Sequence, residues 1–475
     1  MSKVLKPLII LLFSFAMTLC AHAAEAIPLD YIITAYFPGS SAEFNLENIS
    51  DEDISTAATL PSGCGIELST SVDSAQDGDN IGYVYVKFTT TPVPYSVTYN
   101  NTVGTVAYNT GNDDMKVLSA GEHGFLHELT VIDGEVSSIM ISSAHDMEIA
   151  DIMLFSKGEL PPNVQRWEPT LSECDMLCFP THADDESLFM GALIADSTAR
   201  GRLVQVALIC NDKKAPQRPH ELLDAVWTLG VRTYPIIGSF PDYYSRTLRY
   251  ASTQYDAGEM RGFIVECIRR TRPSVVVAHD INGEYGHGAH MLTSLLVREA
   301  IRLTDDPESY SESVKEYGVH KVQKLFLHLY DENEIVIDVN KPYGTLGEKT
   351  PFDMAVAAYD CHKSQHIFDE LFVTTNGTND CSRFGLFYSD VGYDVSSGDV
   401  FEGIDPVIPS VAEMLDTSDS SKLTPQSADT TPTHLPDGDG VSESVRNAFG
   451  HTGVGFCLLL AALILLYGII TTRRR

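Results

Sequence analysis

Three regimes of hydrophobic and polar spacing succeed one another along the 475 residues. From Ile27 to about Phe155 the apolar positions form short alternating runs, as in Tyr83-Val84-Tyr85-Val86-Lys87-Phe88, Tyr95 to Tyr99, and Leu126 to Ile132. A two-residue period marks strands with one buried face, and no long helical period interrupts them. Asp133-Gly134, placed before Ser138-Ile139-Met140-Ile141, predicts a tight hairpin turn. The expectation is an antiparallel β-sandwich over residues 27–158.

Leu160-Pro161-Pro162 ends that pattern. Beyond it, apolar runs at Met176 to Phe179, Leu203 to Ile209, Val231 to Ile237, Ser274 to Ala278 and Leu325 to Leu329 alternate with helical stretches. Pro219 to Leu229, Glu259 to Ile268 and His290 to Ile301 are the clearest of these. Alternation on this scale predicts an α/β domain over residues 165–403, with a Rossmann-like, mostly parallel sheet and helices on both faces. Ligands of such sheets sit beyond the carboxyl ends of the strands.

The third regime is a Ser-, Thr-, Pro-, Asp- and Gly-rich segment, 404–450, with too few large apolar residues to fold. It reads as a disordered acidic stalk. An apolar stretch at 453–472 follows, about the 20 residues a bilayer crossing requires, and Arg473-Arg474-Arg475 would then form a cytoplasmic basic tail. At the other end, Lys3 and Lys6, the apolar run from Leu8 to Leu19 and the small-residue site Ala21-His22-Ala23 read as a signal peptide over residues 1–23. Together these predict a single-pass membrane protein with its globular part outside the cell, as on a bacterial surface.

Charge narrows the partners. Five of the 32 basic residues lie in the terminal segments, so the stretch between them holds 27 against 65 acidic residues, a net charge of −38. Such a surface repels phosphate backbones, which argues against nucleic-acid binding. Seven of the nine cysteines fall in the exported part, an odd number without dense spacing, so a disulfide scaffold is not expected. Cys174 and Cys178 read as core thiols, while Cys361 and Cys381 are a possible bridge.

The chemistry is concentrated in two clusters, His182-Ala183-Asp184-Asp185-Glu186 and His287-Gly288-Ala289-His290, each just past a predicted strand. Zinc takes imidazole nitrogen and carboxylate oxygen, and a catalytic site keeps one position open. His182 and Asp185, three apart at a strand-to-helix turn, can face one point, and His290 can supply a third ligand. Asp184 remains as an unligated carboxylate able to take a proton from water, whose pKa a metal lowers from 15.7 towards about 7. His287 can stabilise a developing oxyanion or protonate a leaving amine. An Asp-Asp-Glu run alone would more often be a solvated helix start; its coincidence with the second cluster favours a site.

Phe179-Pro180-Thr181-His182-Ala183-Asp184-Asp185-Glu186 resembles the His-Pro-Asp-Asp-Glu signature of the PIG-L/LmbE-like N-acetylglucosaminyl deacetylases. Ala278 to His290, Arg218-Pro219-His220-Glu221 and Tyr359 to Gln365 resemble the family's other motifs, in order, across about Cys174 to Ile404. The resemblance implies a zinc-dependent amidohydrolase that removes an acyl group, acetyl in the first instance, from an N-acylated amino sugar or glycoconjugate. It implies His182, Asp185 and His290 as ligands, Asp184 as general base, His287 as electrostatic or acid partner, and Arg218 and Tyr285 as substrate contacts. Arg218 has an alternative as a surface partner of Glu221, Tyr285 as loop packing, and His362 and Gln365 as packing groups. Ala183 replaces the family's proline, and Ala289 stands where many relatives carry Asp or Asn beside the second histidine. A group that would orient His287 is then missing unless Asp280 substitutes. Asp51 to Thr56 and Ile149 to Phe155 resemble discoidin-like galactose-binding modules, so the sandwich is either an envelope-glycan-binding module or a spacer. The competing reading of the whole chain is a non-catalytic glycan-binding surface protein with a degenerate deacetylase domain.

Overall fold

The structure is a computed structural model that describes residues 25–36, 46–51, 53–70, 80–100, 115–211, 214–393 and 397–407. The expected signal peptide, the stalk beyond residue 407, the membrane-spanning segment and the basic tail lie outside the described residues. The chain divides into the units Met1–Thr424 and Pro425–Arg475, and every described residue belongs to the first. Among the described residues no helix is long and apolar enough to cross a membrane.

The first half is built from β1 (Pro28–Leu29), β2 (Tyr31–Tyr36), β3 (Ala58–Leu60), β4 (Gly65–Thr70), β5 (Ile81–Phe88), β6 (Tyr95–Asn100), β7 (Met115–Ala120), β8 (His127–Val131), β9 (Ser138–Ser143) and β10 (Met147–Ser156). They form two antiparallel sheets, one in the order β1-β10-β5-β8 with β3 on β10, the other β2-β4-β9-β6-β7. One apolar cluster draws on both, with Val84, Val86, Ile152 and Leu154 from the first sheet and Ile66, Leu68, Val97, Ile139 and Ile141 from the second. The alternation read from the sequence is this inward face.

Asp133-Gly134 does not close a hairpin. β8 pairs with β5 while β9 pairs with β4 and β6, so the turn carries the chain from one sheet to the other. Buried Ile132 and Val136 flank the turn, and their backbones bond to Gly82 and Ile81 rather than to each other. The side chains that belong in the core thus decide against local pairing.

The α/β half contains β11 (Met176–Cys178), α1 (Asp185–Leu188), α2 (Gly191–Ala199), β12 (Val204–Cys210), α3 (Gln217–Thr228), β13 (Ile236–Phe240), α4 (Leu248–Gln254), α5 (Ala257–Thr271), β14 (Val275–Ala278), α6 (Gly288–Ala300), α7 (Ser311–Tyr317), β15 (Lys324–His328), β16 (Glu334–Val336), α8 (Pro351–Tyr359) and β17 (Arg383–Ser389). Its sheet runs β13-β12-β11-β14-β15-β17-β16. The first five strands in that order are parallel, and β17 and β16 are antiparallel additions at one side. Strand residues alternate between two apolar clusters: Met176 and Cys178 pack with residues of α2, α3 and α8, while Leu177 and Phe179 pack with α5 and α6. Helices therefore cover both faces, as a parallel sheet requires.

The expected strand at Val231 to Ile237 lies further along, at Ile236–Phe240, because Val231 is absorbed into the core beside α3 and Thr233 bridges only to Glu168. Cys361 and Cys381 are both free thiols, so no bridge joins them. Cys174 and Cys178 are fully buried thiols, as read.

Strand order fixes where chemistry can sit. From β11 the chain winds outward through β12 to β13, then returns to the other side of β11 for β14 and β15. The reversal lies between β11 and β14, and the strands' carboxyl ends at such a reversal are where sheets of this kind place their ligands. His182 follows β11 and His279 follows β14, so residues a hundred apart in sequence meet.

Candidate metal-dependent active site

Asp185 is the centre of the cluster. Its Oδ2 accepts backbone N–H groups from His182 at 2.7 Å and Thr181 at 3.1 Å. The same oxygen lies 3.3 Å from His182 Nδ1 and 3.3 Å from His290 Nε2, and these two nitrogens are 3.1 Å apart. Donors held about 2.0–2.2 Å from a tetrahedral ion stand roughly 3.3–3.5 Å from one another. The observed triangle fits one face of such a site, and two overlapping metal-capable groups, His182/His287/His290 and Asp185/His279/His290, include the three residues. Burial alone would raise Asp185, but His290 and His279 beside it hold it well below the ordinary carboxylate range. It is ionised, as a ligand must be.

Glu284 orients the imidazoles, and nothing in the sequence pattern singled it out. Fully buried, it accepts from His279 Nδ1 at 2.7 Å and His290 Nδ1 at 2.8 Å on Oε2, and from His328 Nδ1 at 2.8 Å and the Asp280 N–H at 3.1 Å on Oε1. With its Nδ1 proton committed to Glu284, His290 turns the Nε2 lone pair towards Asp185 and His182. A carboxylate behind a ligating histidine is the usual support of a metal site. Neither His279 nor His328 was assigned a role from the sequence; His279 Nε2 accepts the Thr181 N–H at 3.0 Å, which ties β14 to the loop after β11. The one available signal was position, an acidic residue between His279 and His290 in the loop after a buried strand. His182 Nε2 is buried without a hydrogen-bond partner, and Asp242 Oδ1 lies 3.6 Å away.

Asp184 stands apart from the triangle. Its φ is 148°, strained for any residue but glycine. Its N–H donates to Glu186 Oε2 at 2.9 Å, and Glu186 is in turn held by His362 Nε2 at 2.6 Å and the Ser187 hydroxyl at 2.7 Å. Burial pushes the Asp184 carboxyl up to about 6, with Arg218, 3.7 Å from Oδ1, pulling the other way. Arg218 does not pair with Glu221, which accepts from the Ser364 N–H and hydroxyl instead, at 2.8 and 2.6 Å. His362 therefore supports Glu186, and the Gln365 side-chain amide donates to the neighbouring Ser364 hydroxyl.

His287 caps α6, its Nδ1 accepting the Ala289 N–H at 3.3 Å. Its ring lies 4.8 Å from that of His182 and 4.6 Å from that of His290. Burial, then the neighbouring imidazoles, depress it to about 2. In the neutral ring the proton sits on Nε2, since Nδ1 is an acceptor. Asp280 does not replace the missing orienting group, because it turns its carboxylate to the N–H of Asn282. Gly288 lets this corner close: a Cβ there would lie 2.2 Å from the Thr247 carbonyl oxygen, and its N–H donates to Ser245 O at 2.6 Å. Tyr285 and Tyr244, 47% and 64% exposed, flank His287 with ring distances of 5.7 and 5.1 Å and form an open rim.

The 1D-myo-inositol 2-acetamido-2-deoxy-alpha-D-glucopyranoside deacetylase of Mycobacterium leprae is 31% identical over 159 residues, covering 28% of this chain and 51% of that protein. A deacetylase of the same name from Acidothermus cellulolyticus is 25% identical over 281 residues, covering 49% of this chain and 96% of that protein. The chain spans about half the length of the first curated relatives it matches, 51% in the first case. Among solved structures, the N,N'-diacetylchitobiose deacetylase from Pyrococcus horikoshii aligns with a TM-score of 0.34 and 19% identity, covering 41% of this chain and 73% of that one. Residues 177–301, from β11 through α6, match the family described as PIG-L, GlcNAc-PI de-N-acetylase.

Proposed function

We propose that the chain is a zinc-dependent deacetylase that hydrolyses the N-acyl amide of an acylated amino sugar or glycoconjugate. The observation that carries this reading is the triangle of His182 Nδ1, Asp185 Oδ2 and His290 Nε2, with edges of 3.1–3.3 Å. A zinc ion held by these three would supply a Lewis acid for the amide carbonyl and acidify a water beside it. Asp184, kept near 6 by burial, takes the proton lost by the attacking water and later returns it to the departing amine. His287, neutral and protonated on Nε2, donates to the oxyanion that forms on the carbonyl oxygen. That part suits its depressed pKa better than general acid catalysis does. Arg218 and Tyr285 contact the sugar.

Around this centre we infer the layout expected from the sequence. A sandwich at 27–158 would hold envelope glycan near the catalytic domain at 165–403, and the stalk and 453–472 helix would tether both to the outer face of a membrane. The alternative of a degenerate, glycan-binding domain rests on the sandwich, the stalk and Ala289; the ligand triangle and the Glu284 support favour catalysis. Metal analysis of the purified protein with an amine-release screen on N-acetylated amino sugars is the test. One zinc per chain with release abolished by chelation is expected. Zinc bound tightly with no turnover across acylated amino sugars would defeat the proposal.

A further inference from the structure

Away from the candidate active site, a cleft of about 690 Å³ opens where α3 and the α8–365 segment meet the linker from the sheets. Four cations line it: Lys87 on β5, Arg232, Lys349 and Lys363. None of them is ion-paired among the described residues. Arg232 spends its guanidinium on the carbonyls of Trp227 and Val231 and on the face of the Trp227 ring, 3.9 Å away. Two carboxylates share the lining, Asp224 and Asp360, and Asp224 accepts from the Gln165 amide. The cleft is thus cationic on balance, in a chain whose net charge is −33. Lys87 and Lys363 act on Asp224 but form no salt bridge with it, and an excess of basic groups gathered in one concavity of an acidic protein focuses anions there. The volume falls within the roughly 300–1,000 Å³ of small-molecule sites, which favour such domain junctions.

We propose that this cleft binds a sugar-sized organic anion bearing phosphate or carboxylate groups. None of the metal-triangle residues lines it, so the inference stands independently of the deacetylase reading. Asp360, Cys361 and Lys363 line the cleft, while the intervening His362 holds Glu186 beneath Asp184. Occupancy can therefore be felt at the active site through one short segment.

The chain has an internal reporter. It has two tryptophans; Trp227 lines the cleft, and Trp167 packs edge-on against it at 5.2 Å. Tryptophan fluorescence of the full chain, titrated with glucose 6-phosphate, glucuronate, inorganic phosphate and glucose, reads the site directly, with calorimetry as a second measure. A saturable signal with glucose 6-phosphate or glucuronate, absent with glucose, is expected, and whichever binds distinguishes the phosphate from the carboxylate source. The exposed pair Lys349→Gln/Lys363→Gln should weaken it at least about tenfold, with the circular dichroism spectrum unchanged. An equal response to glucose, affinity unchanged in the double variant, or no signal and no heat with any anion up to about 10 mM overturns the proposal.

Discussion

Glu284→Gln tests the architecture of the metal site more sharply than replacing a ligand. The wild-type carboxylate accepts four hydrogen bonds, three from imidazoles at 2.7–2.8 Å and one from the Asp280 N–H at 3.1 Å. An amide of the same shape has one accepting end. If its NH2 faces His328 and the Asp280 N–H, a backbone donor is left facing a donor, and no tautomer shift can relieve it. If it faces His279 and His290, both rings must give up their Nδ1 protons. His290 would then carry its proton on Nε2 and lose the lone pair aimed at Asp185 and His182. Each orientation forfeits two charge-assisted bonds worth about 1.5–3 kcal/mol apiece in a fully buried setting, so a loss of roughly 3–6 kcal/mol in stability is expected. Removing support behind a ligating histidine should also weaken zinc about 10–100-fold. Urea unfolding of the metal-free protein gives the first quantity, and competition against a chromophoric chelator gives the second. A variant within about 1 kcal/mol of wild type that holds zinc equally well would refute the argument that Glu284 sets the imidazole tautomers.

Other outcomes follow from the same structure. Asp184→Asn should keep one zinc per chain and lose about 10²–10⁴-fold in amine release; full activity would remove Asp184 as the base. Glu128, partly buried on β8, has its carboxyl pushed by burial from 4.5 up to about 7, so the folded state binds its proton more tightly than the unfolded chain and stability falls as pH rises through that window. Glu128→Gln should match wild type below pH 4.5 and exceed it by about 2 kcal/mol above pH 7, after discounting for partial exposure, whereas a pH-independent difference in urea unfolding would contradict this. Phe125, 7% exposed, stacks on Tyr234 at 4.4 Å where the sheets meet the α/β half. Phe125→Ala should cost about 3 kcal/mol in thermal or urea unfolding, and a loss below 1 would mean the contact does not hold the two halves together.

What the sequence made legible follows from which physics is local. The parallel sheet and its helices were visible because strand burial and helical amphipathicity repeat within ten residues. Cluster position at strand ends then brought His182, Asp185 and His290 together through topology alone. Glu284, His328, His279 and Asp242 were not visible as a set, because their contacts join the loops after β13 and β14 to the end of β15, and no periodicity marks a buried carboxylate in a loop. The Asp133-Gly134 hairpin failed for a related reason. Turn chemistry is local, but partner choice belongs to Ile132 and Val136, which enter a core shared by both sheets. Val231 shows the same ambiguity, since an apolar run serves a helix–sheet contact as readily as a strand.

Two adjacent carboxylates in one loop end with opposite character, and the backbone is what separates them. Asp185 points its oxygen at two backbone N–H groups and three imidazoles, which keep it charged despite complete burial. Asp184, one residue earlier, is turned away by a φ of 148°; Arg218 at 3.7 Å, His362 and His182 favour its charged form, but burial dominates and its proton is held to about 6. A conformation that costs on the order of 1–3 kcal/mol persists only where its surroundings over-determine it. Here Glu186 does so, gripping the Asp184 N–H while His362 and Ser187 fix Glu186. Divergent environments for neighbouring carboxylates are how one site can obtain both a group that stays charged, as a metal ligand would, and a group able to exchange a proton near neutrality. The third acidic residue of the run, which in isolation looked like helix-start decoration, is therefore what holds the first two in their separate roles.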